Sequence, residues 1–380
     1  MASSISKIEG FSLSCDMPTP VGNARVIFDK RTALLIRITT SDGHVGWGEC
    51  WAYPAAIAAI IRTTLGPSMI GRDVTEPVAA IAPLFAAAAQ DRRGLHHMAI
   101  SALDISVWDA YGQASGRSIA SLLGGARRKS IPAYASGPLL HPDEPFADLE
   151  PTLKDCLAQG FRAFKLRIGI DRESDLAALR MARRLIGPDA LLAADMNEAG
   201  TVKEAIGLID DAADLRLAWL EEPVPHDNIP AYVQMAAHLP VPLSGGESFY
   251  GLGAFRDVLA KGGLDLIQPD LALCGGINEA RKIAALGEAF GVPTMLHVWG
   301  AGVNYLAALQ FSATLPPQRM GCFTYPLHEI DVSYNPLRSA IVGIEIDADG
   351  CVTVPDGPGL GLKINTAQFE SFVVDRWTIE

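Results

Sequence analysis

From Ile131 onward the sequence keeps one rhythm. A short apolar run is followed by a stretch with helical spacing, and then by another short apolar run. The runs are Ile131–Ser136, Ala163–Ile168, Leu191–Asp195, Leu217–Glu221, Val241–Ser244, Leu264–Gln268, Pro293–His297 and a less regular last one near Cys322–Glu329. One intervening stretch opens on the capping-box pattern Thr201-x-x-Glu204, and another, Asn278–Phe290, is closed by Gly291 and Pro293. Eight strands alternating with helices predict a (β/α)8 barrel of the TIM type. A doubly wound sheet competes with it but usually has fewer units. The barrel is expected over residues 131–339.

The first 130 residues have a different texture. Ala33–Thr39 and His44–Glu49 read as strands joined by the turn Ser41-Asp42-Gly43. Ile100, Leu103, Val107 and Trp108 fall near helical spacing within Leu95–Tyr111. This predicts an N-terminal α+β capping domain. Residues 340–380 return to strand and turn character around Asp349-Gly350 and are expected to pack back on it.

The strand ends carry the chemistry. Lys165 and Arg167 stand on the second run, Asp195 ends the third, Glu221 ends the fourth and Glu247 follows the fifth. Asp270 follows the sixth run and His297 ends the seventh. Each lies about one βα repeat after the last, which places all of them around the C-terminal mouth, where barrel active sites lie. Any single carboxylate here could be a helix N-cap, and a single His could be structural. Seven in succession at one rim are not explained that way. Asp195, Glu221 and Glu247 offer three hard oxygens to one point, which suits Mg²⁺. Zinc would ask for His or Cys ligands. Glu222 is expected to point the other way and brace the site. Asp270 could orient His297 as a general base. Lys165 and Arg167, two residues apart on a strand, share a face.

Composition limits the partners. The chain has 31 Lys+Arg against 43 Asp+Glu, a net charge of −12, and no basic run, which argues against nucleic acid. Cysteines 15, 50, 156, 274, 322 and 351 form no CxxC pair and read as thiols of a reducing compartment. No signal-peptide pattern is visible, and the longest apolar run, Val78–Ala89, is too short to span a bilayer. A cytoplasmic protein with no membrane partner is expected.

Several motifs together resemble the enolase superfamily, mandelate racemase subgroup, over nearly the whole chain. They are Phe164-Lys165-Leu166-Arg167-Ile168-Gly169, Asp195-Met196-Asn197, Trp219-Leu220-Glu221-Glu222-Pro223, Gly246-Glu247, Gln268-Pro269-Asp270 with Cys274-Gly275-Gly276, and Leu296-His297. Gly46-Trp47-Gly48-Glu49 and Ala99–Asp109 resemble the family's capping segments. Pro326–Asp331 resembles its eighth-strand stretch, which places an acid at Glu329, with Tyr325 the weaker candidate. The resemblance implies that Mg²⁺ binds a substrate carboxylate and that a base removes the neighbouring proton to give an enediolate. Lys165 and Arg167 would add positive charge, and a protonated Glu329 would donate a hydrogen bond. Asn197, Trp51 and Trp299 are implied substrate contacts, with the loops Asp16–Asn23 and Cys50–Tyr53 closing the mouth. A homo-oligomer, from dimer to octamer, is also implied.

One departure matters. Many subgroup members carry Lys-x-Lys where this chain has Lys165-x-Arg167. Arginine stays protonated and makes a poor base. His297 then stands as the dependable base, which favours β-elimination over racemisation. Acid-sugar dehydratases and galactarolactone cycloisomerases fit that logic. A racemase or epimerase needs a second base. A non-catalytic binding protein is the remote alternative. Asp270, where the muconate-lactonising branch has a Lys, argues against that branch.

Overall fold

A computed structural model describes residues 3–87, 93–320 and 323–380. Ala88 and Ala89 of the long apolar run, and Cys322, lie outside the described residues. Three strands open the chain: β1 (Ile5–Gly22), β2 (Ile27–Thr40) and β3 (Val45–Cys50), paired antiparallel in that order. Successive side chains of a strand face opposite ways. Here the two faces enter different cores. Phe11, Leu13, Ala33 and Leu35 join the large cluster shared with the barrel, while Ile8, Leu34, Ile36 and Ile38 join a separate cap cluster. The helix Leu95–Ser115 lies against β3 and is buried on nearly every side. Its contact is close enough that a Cβ on Gly46 would stand 2.1 Å from the Ser106 carbonyl oxygen, and one on Gly48 1.8 Å from that of Ala102. This explains the glycine alternation in Gly46-Trp47-Gly48.

The barrel strands are β4 (Ser130–Ser136), β5 (Ala163–Arg167), β6 (Leu191–Asp195), β7 (Leu220–Glu221), β8 (Leu243–Gly245) and β9 (Leu266–Ile267), each parallel to its neighbour. β10 (Gln318–Met320) and β11 (Phe323–Tyr325) form a hairpin, and β12 (His328–Asp331) closes onto β4 in parallel. β13 (Cys351–Thr353) pairs with β4, and β14 (Val373–Ile379) returns to pair with β1. The C-terminal tail thus completes the cap sheet in the order β14-β1-β2-β3.

Two expectations need correction. The run Pro293–His297 forms no ladder. It touches its neighbour through the single bridges Ile267–Thr294 and Asp270–His297. The last barrel strand starts at His328, because the preceding apolar residues turn back on themselves as the β10–β11 hairpin.

Period-two alternation builds the barrel interior. Ala163, Leu191, Ala193 and Trp219 form an apolar plug with Tyr134, Leu266 and Met295. Lys165, Asp195 and Glu221 continue the same inward rows toward the mouth. Their strand neighbours Phe164, Leu166, Leu192 and Ala194 pack outward into the larger core. Among the described residues no helix is long and apolar enough to cross a membrane.

Candidate active site

The inward rows bring Asp195, Glu221 and Glu247 together. One oxygen from each lies within 4.8 Å of the others. Asp195 and Glu221 are buried and Glu247 is partly open. The set is all-oxygen, anionic and compact, which fits Mg²⁺ and offers no soft donor. Burial raises all three carboxyl pKa values. Lys165 pulls Asp195 and Glu221 back toward the ionised form, and His297 does the same for Glu247. Trp219 Nε1 and Gln268 Nε2 both donate to Glu221 Oε2, at 2.9 and 2.7 Å. Asn197 donates to Asp195 from its backbone (2.8 Å) and its amide (3.1 Å). These bonds fix the carboxylates before any ligand arrives.

Lys165 sits fully buried among three acids. Its Nζ pairs with Glu221, with Glu329 at 2.9 Å and with Asp195 at 3.6 Å. Burial opposes its charge, but Glu221 and Glu329 overcome this and hold it protonated. Arg167 Nη1 lies 3.2 Å from Asp195 and 3.3 Å from the Asn197 side-chain oxygen. Its guanidinium stacks on Trp299 at 5.3 Å, and Arg31 covers the ring at 4.4 Å. Two guanidinium groups thus lie against Trp299.

On the other side of the mouth, His297 Nδ1 is 2.7 Å from Asp270 Oδ2, and its Nε2 is 3.3 Å from Glu247. Burial opposes protonation of the ring. Glu247, Glu329 and Asp270 outweigh it and raise its pKa to about 10. Trp51 Nε1 donates to Asp270 Oδ2 at 2.9 Å. Above these groups lies a cavity of about 360 Å³, lined by Trp51, Tyr53, Ser248, Tyr250 and Trp299 among others. A larger cavity of about 640 Å³ sits between cap strands and C-terminal tail, away from the carboxylates. The hairpin between β1 and β2 reaches the barrel rim. Gly22 and Leu140 exchange backbone hydrogen bonds at 2.8 and 2.9 Å, and Arg25 pairs with Glu198.

The structure therefore brings together Lys165, Arg167, Asp195, Asn197, Glu221, Glu247, Asp270, His297 and Glu329, with Trp51 and Trp299 at the edge. Glu329 sits beside two cationic groups. Although buried, it is held well below the usual carboxylate range by Lys165 and His297, and it accepts from Val298 N at 2.9 Å. Its Oε1 lies 2.9 Å from Lys165 Nζ, which places it to anchor that cation. Glu222 is buried with a positive φ of 37°, and burial with Glu247 nearby raises its pKa. Sequence reasoning missed the supporting roles of Gln268, Trp219, Glu49 and Asn304. Gln268 and Trp219 stand inside recognised motifs, so their signal was present. Asn304 had none.

A barrel whose mouth holds a carboxylate triad beside a buried Lys and a His–Asp pair is an enzyme scaffold for proton transfer next to a bound anion. Residues 148–368 match the family model described as enolase C-terminal domain-like, and residues 8–124 match the mandelate racemase / muconate lactonizing enzyme N-terminal domain. The chain belongs to this family and is an enzyme of the enolase superfamily. It is 39% identical over 360 residues to D-galactarolactone cycloisomerase of Agrobacterium fabrum, covering 94% of this chain and 95% of the relative. It is 30% identical to arabinonate dehydratase of Saccharolobus solfataricus, covering 91% and 95%. A racemase from Streptomyces coelicolor A3(2), solved with bound magnesium, superposes with a TM-score of 0.86 at 25% identity, covering 97% of this chain and all of that one.

Proposed function

We propose that this enzyme removes the α-proton of a sugar acid with His297 and completes a β-elimination, as an acid-sugar dehydratase does. One observation carries the reading: among the described residues at the mouth, His297, oriented by Asp270 at 2.7 Å, is the group best placed to act as a base. Lys165 is locked among carboxylates, and Arg167 stays protonated. Asp195, Glu221 and Glu247 would hold Mg²⁺. When bound, it supplies the positive charge that stabilises the deprotonated carboxylate. Lys165 lies beside those ligands and adds a fixed cation to the same anion. Glu247 is one of the carboxylates that raise His297, with Glu329 and Asp270. A cation held by Glu247 would offset that carboxylate's pull on the imidazole and favour the neutral form that a base needs.

A second reading keeps the first step and changes the leaving group. In dehydration a hydroxyl leaves and needs a proton, which His297 can return. In a sugar lactone the ring oxygen leaves as part of a carboxylate and needs none. The 39% identity to a galactarolactone cycloisomerase favours this variant. Asn197, Trp51 and Trp299 are proposed substrate contacts. We also propose a cytoplasmic homo-oligomer, dimer to octamer. The free thiols among the described cysteines support the compartment.

The test is a panel of mono- and diacid sugars and their lactones, incubated with Mg²⁺ in D₂O. Deuterium incorporation and 2-keto product are expected from at least one class, and the class that reacts separates the two readings. His297→Asn is expected to lose exchange by roughly 10²- to 10⁴-fold while still binding Mg²⁺. Full exchange in that variant would remove His297 as the base.

A further inference from the structure

Glu49 lies in the cap domain, at the end of β3, yet it is completely buried in the barrel's seventh unit. Its two carboxylate oxygens accept the backbone N–H groups of Ala301 and Asn304, the latter at 2.8 Å. These are the first donors of the helix Gly302–Ser312, whose own N-cap residue, Ala301, supplies no side-chain bond. Helix N-termini leave such donors unpaired unless an acceptor is provided, and an anion suits the helix dipole there. Here the acceptor comes from the other domain.

The capped residue reaches the catalytic pair. Asn304 Nδ2 donates to Asp270 Oδ1 at 3.0 Å and to the Trp299 carbonyl oxygen at 3.0 Å. Asp270 Oδ2 takes His297 Nδ1 on the same carboxylate, together with Trp51 Nε1. Trp51 is two residues beyond Glu49. Gly300 makes room for both. It has φ +103°, and a Cβ there would stand 2.3 Å from Glu49 Oε1 and 2.8 Å from Trp51 Cβ. Cap segment, Trp299–Gly300 turn, helix start and Asp270 are thus one hydrogen-bonded unit.

We infer that Glu49 is a positioning residue for the His297–Asp270 pair. It acts through Asn304 and is seconded by Trp51, so the base is aligned only while the cap is docked. The inference rests on His297 being the base proposed above. Among the described residues no hydrogen bond or ion pair joins Glu49 to the metal triad or Lys165, so its loss is expected to leave cation binding in place. Burial raises its carboxyl to about 7, with the backbone donors opposing the rise. The site therefore holds an acceptor whose geometry matters more than its full charge.

The experiment uses the full chain and four variants: Glu49→Gln, Asn304→Ala, the double variant, and Trp51→Phe, which keeps an aromatic ring, although a smaller one, and removes the Nε1–H donor. On whichever acid or lactone reacts, Glu49→Gln and Asn304→Ala are each expected to lower kcat by roughly 10- to 100-fold, with KM and Mg²⁺ affinity unchanged. The double variant is expected to be no slower than the slower single, because both cut one chain of contacts. Trp51→Phe should lower kcat with KM and thermal stability unchanged, where loss of a substrate contact would raise KM, and so covers the case where Glu49→Gln fails to fold. Losses that multiply in the double variant, an equal fall in Mg²⁺ affinity, or full activity would overturn the inference. A second readout needs no turnover. The His297 Nδ1–H proton resonance, assigned by its loss in His297→Asn, is expected to shift in Glu49→Gln. If no acid or lactone reacts, the proposed function fails. An unchanged resonance overturns the positioning role in either case.

Discussion

Arg167 occupies the position where a second base would stand, and its surroundings support the proposal that it does not act as one. Burial opposes its charge, but Asp195 and Glu329 outweigh this and hold its pKa above the ordinary arginine value. Its Nη1 bridges Asp195 and Asn197, while its guanidinium carbon lies 5.3 Å from the centre of the Trp299 ring. Lysine in the same place would keep the charge beside Asp195 but lose the stacked fork, and it could release a proton where arginine cannot. Arg167→Lys is therefore expected to retain β-elimination at a reduced rate and to acquire proton exchange on the opposite face of the α-carbon. Epimerised substrate in D₂O, followed by NMR, is the measurement. Complete loss of elimination would show instead that the stacked guanidinium is required. This much was legible from two letters, because arginine's basicity does not depend on the fold. The protonation of Glu329 was not legible. It depends on Lys165 and His297, which approach it only when strands far apart in sequence close into one barrel.

Among the elements, legibility followed the locality of the cause. The capping box at Thr201 needs only four consecutive residues. In the structure Thr201 Oγ1 accepts from Glu204 N, and Glu204 Oε2 accepts from Thr201 N at 2.9 Å. Thr201→Ala is expected to cost about 1 kcal/mol of stability, read by urea unfolding, with turnover unchanged because the cap is exposed and outside the site. A shift indistinguishable from zero would mean that packing of Ala205, Leu208 and Ile209 alone sets that helix. The strand-end carboxylates were legible for a related reason. Each βα unit has nearly constant length, so equal spacing in sequence becomes one ring in space. The seventh run was misjudged because apolar composition does not specify pairing. Thr294 and His297 make single bridges where a ladder was expected. The hairpin at 318–325 was absorbed into the eighth strand because an apolar run gives no sign that the chain reverses within it. Glu49 was seen only as part of a cap motif. Its partners are about 250 residues away in sequence, and no local pattern joins them.

At the level of the whole molecule, the cap is fastened to the barrel by buried acids set on helix N-termini. Glu49 does this for the helix Gly302–Ser312. Asp104, on the cap helix Leu95–Ser115, does it for the helix Gly276–Phe290, accepting from Asn278 N at 3.2 Å and from Asn278 Nδ2 at 2.6 Å. Burial raises Asp104 to about 7. The donors of Asn278 and Ile277 oppose the rise, and Glu279 adds to it. The consequence for stability has a definite sign. A carboxyl whose folded pKa lies above its unfolded value near 4 binds its proton more tightly in the folded state. Its contribution is fully present below that unfolded value and is lost as pH rises through about 7. Asparagine at this position keeps an acceptor and does not titrate. Asp104→Asn is therefore expected to gain stability relative to the parent as pH rises from about 4 to 8, by an amount on the order of a few kcal/mol. The measurement is the difference between the two unfolding free energies across that range, at fixed ionic strength. Using the difference removes the metal-site carboxylates, which are common to both proteins. A difference that stays flat with pH would show that Asp104 ionises in the folded state as readily as in the unfolded one.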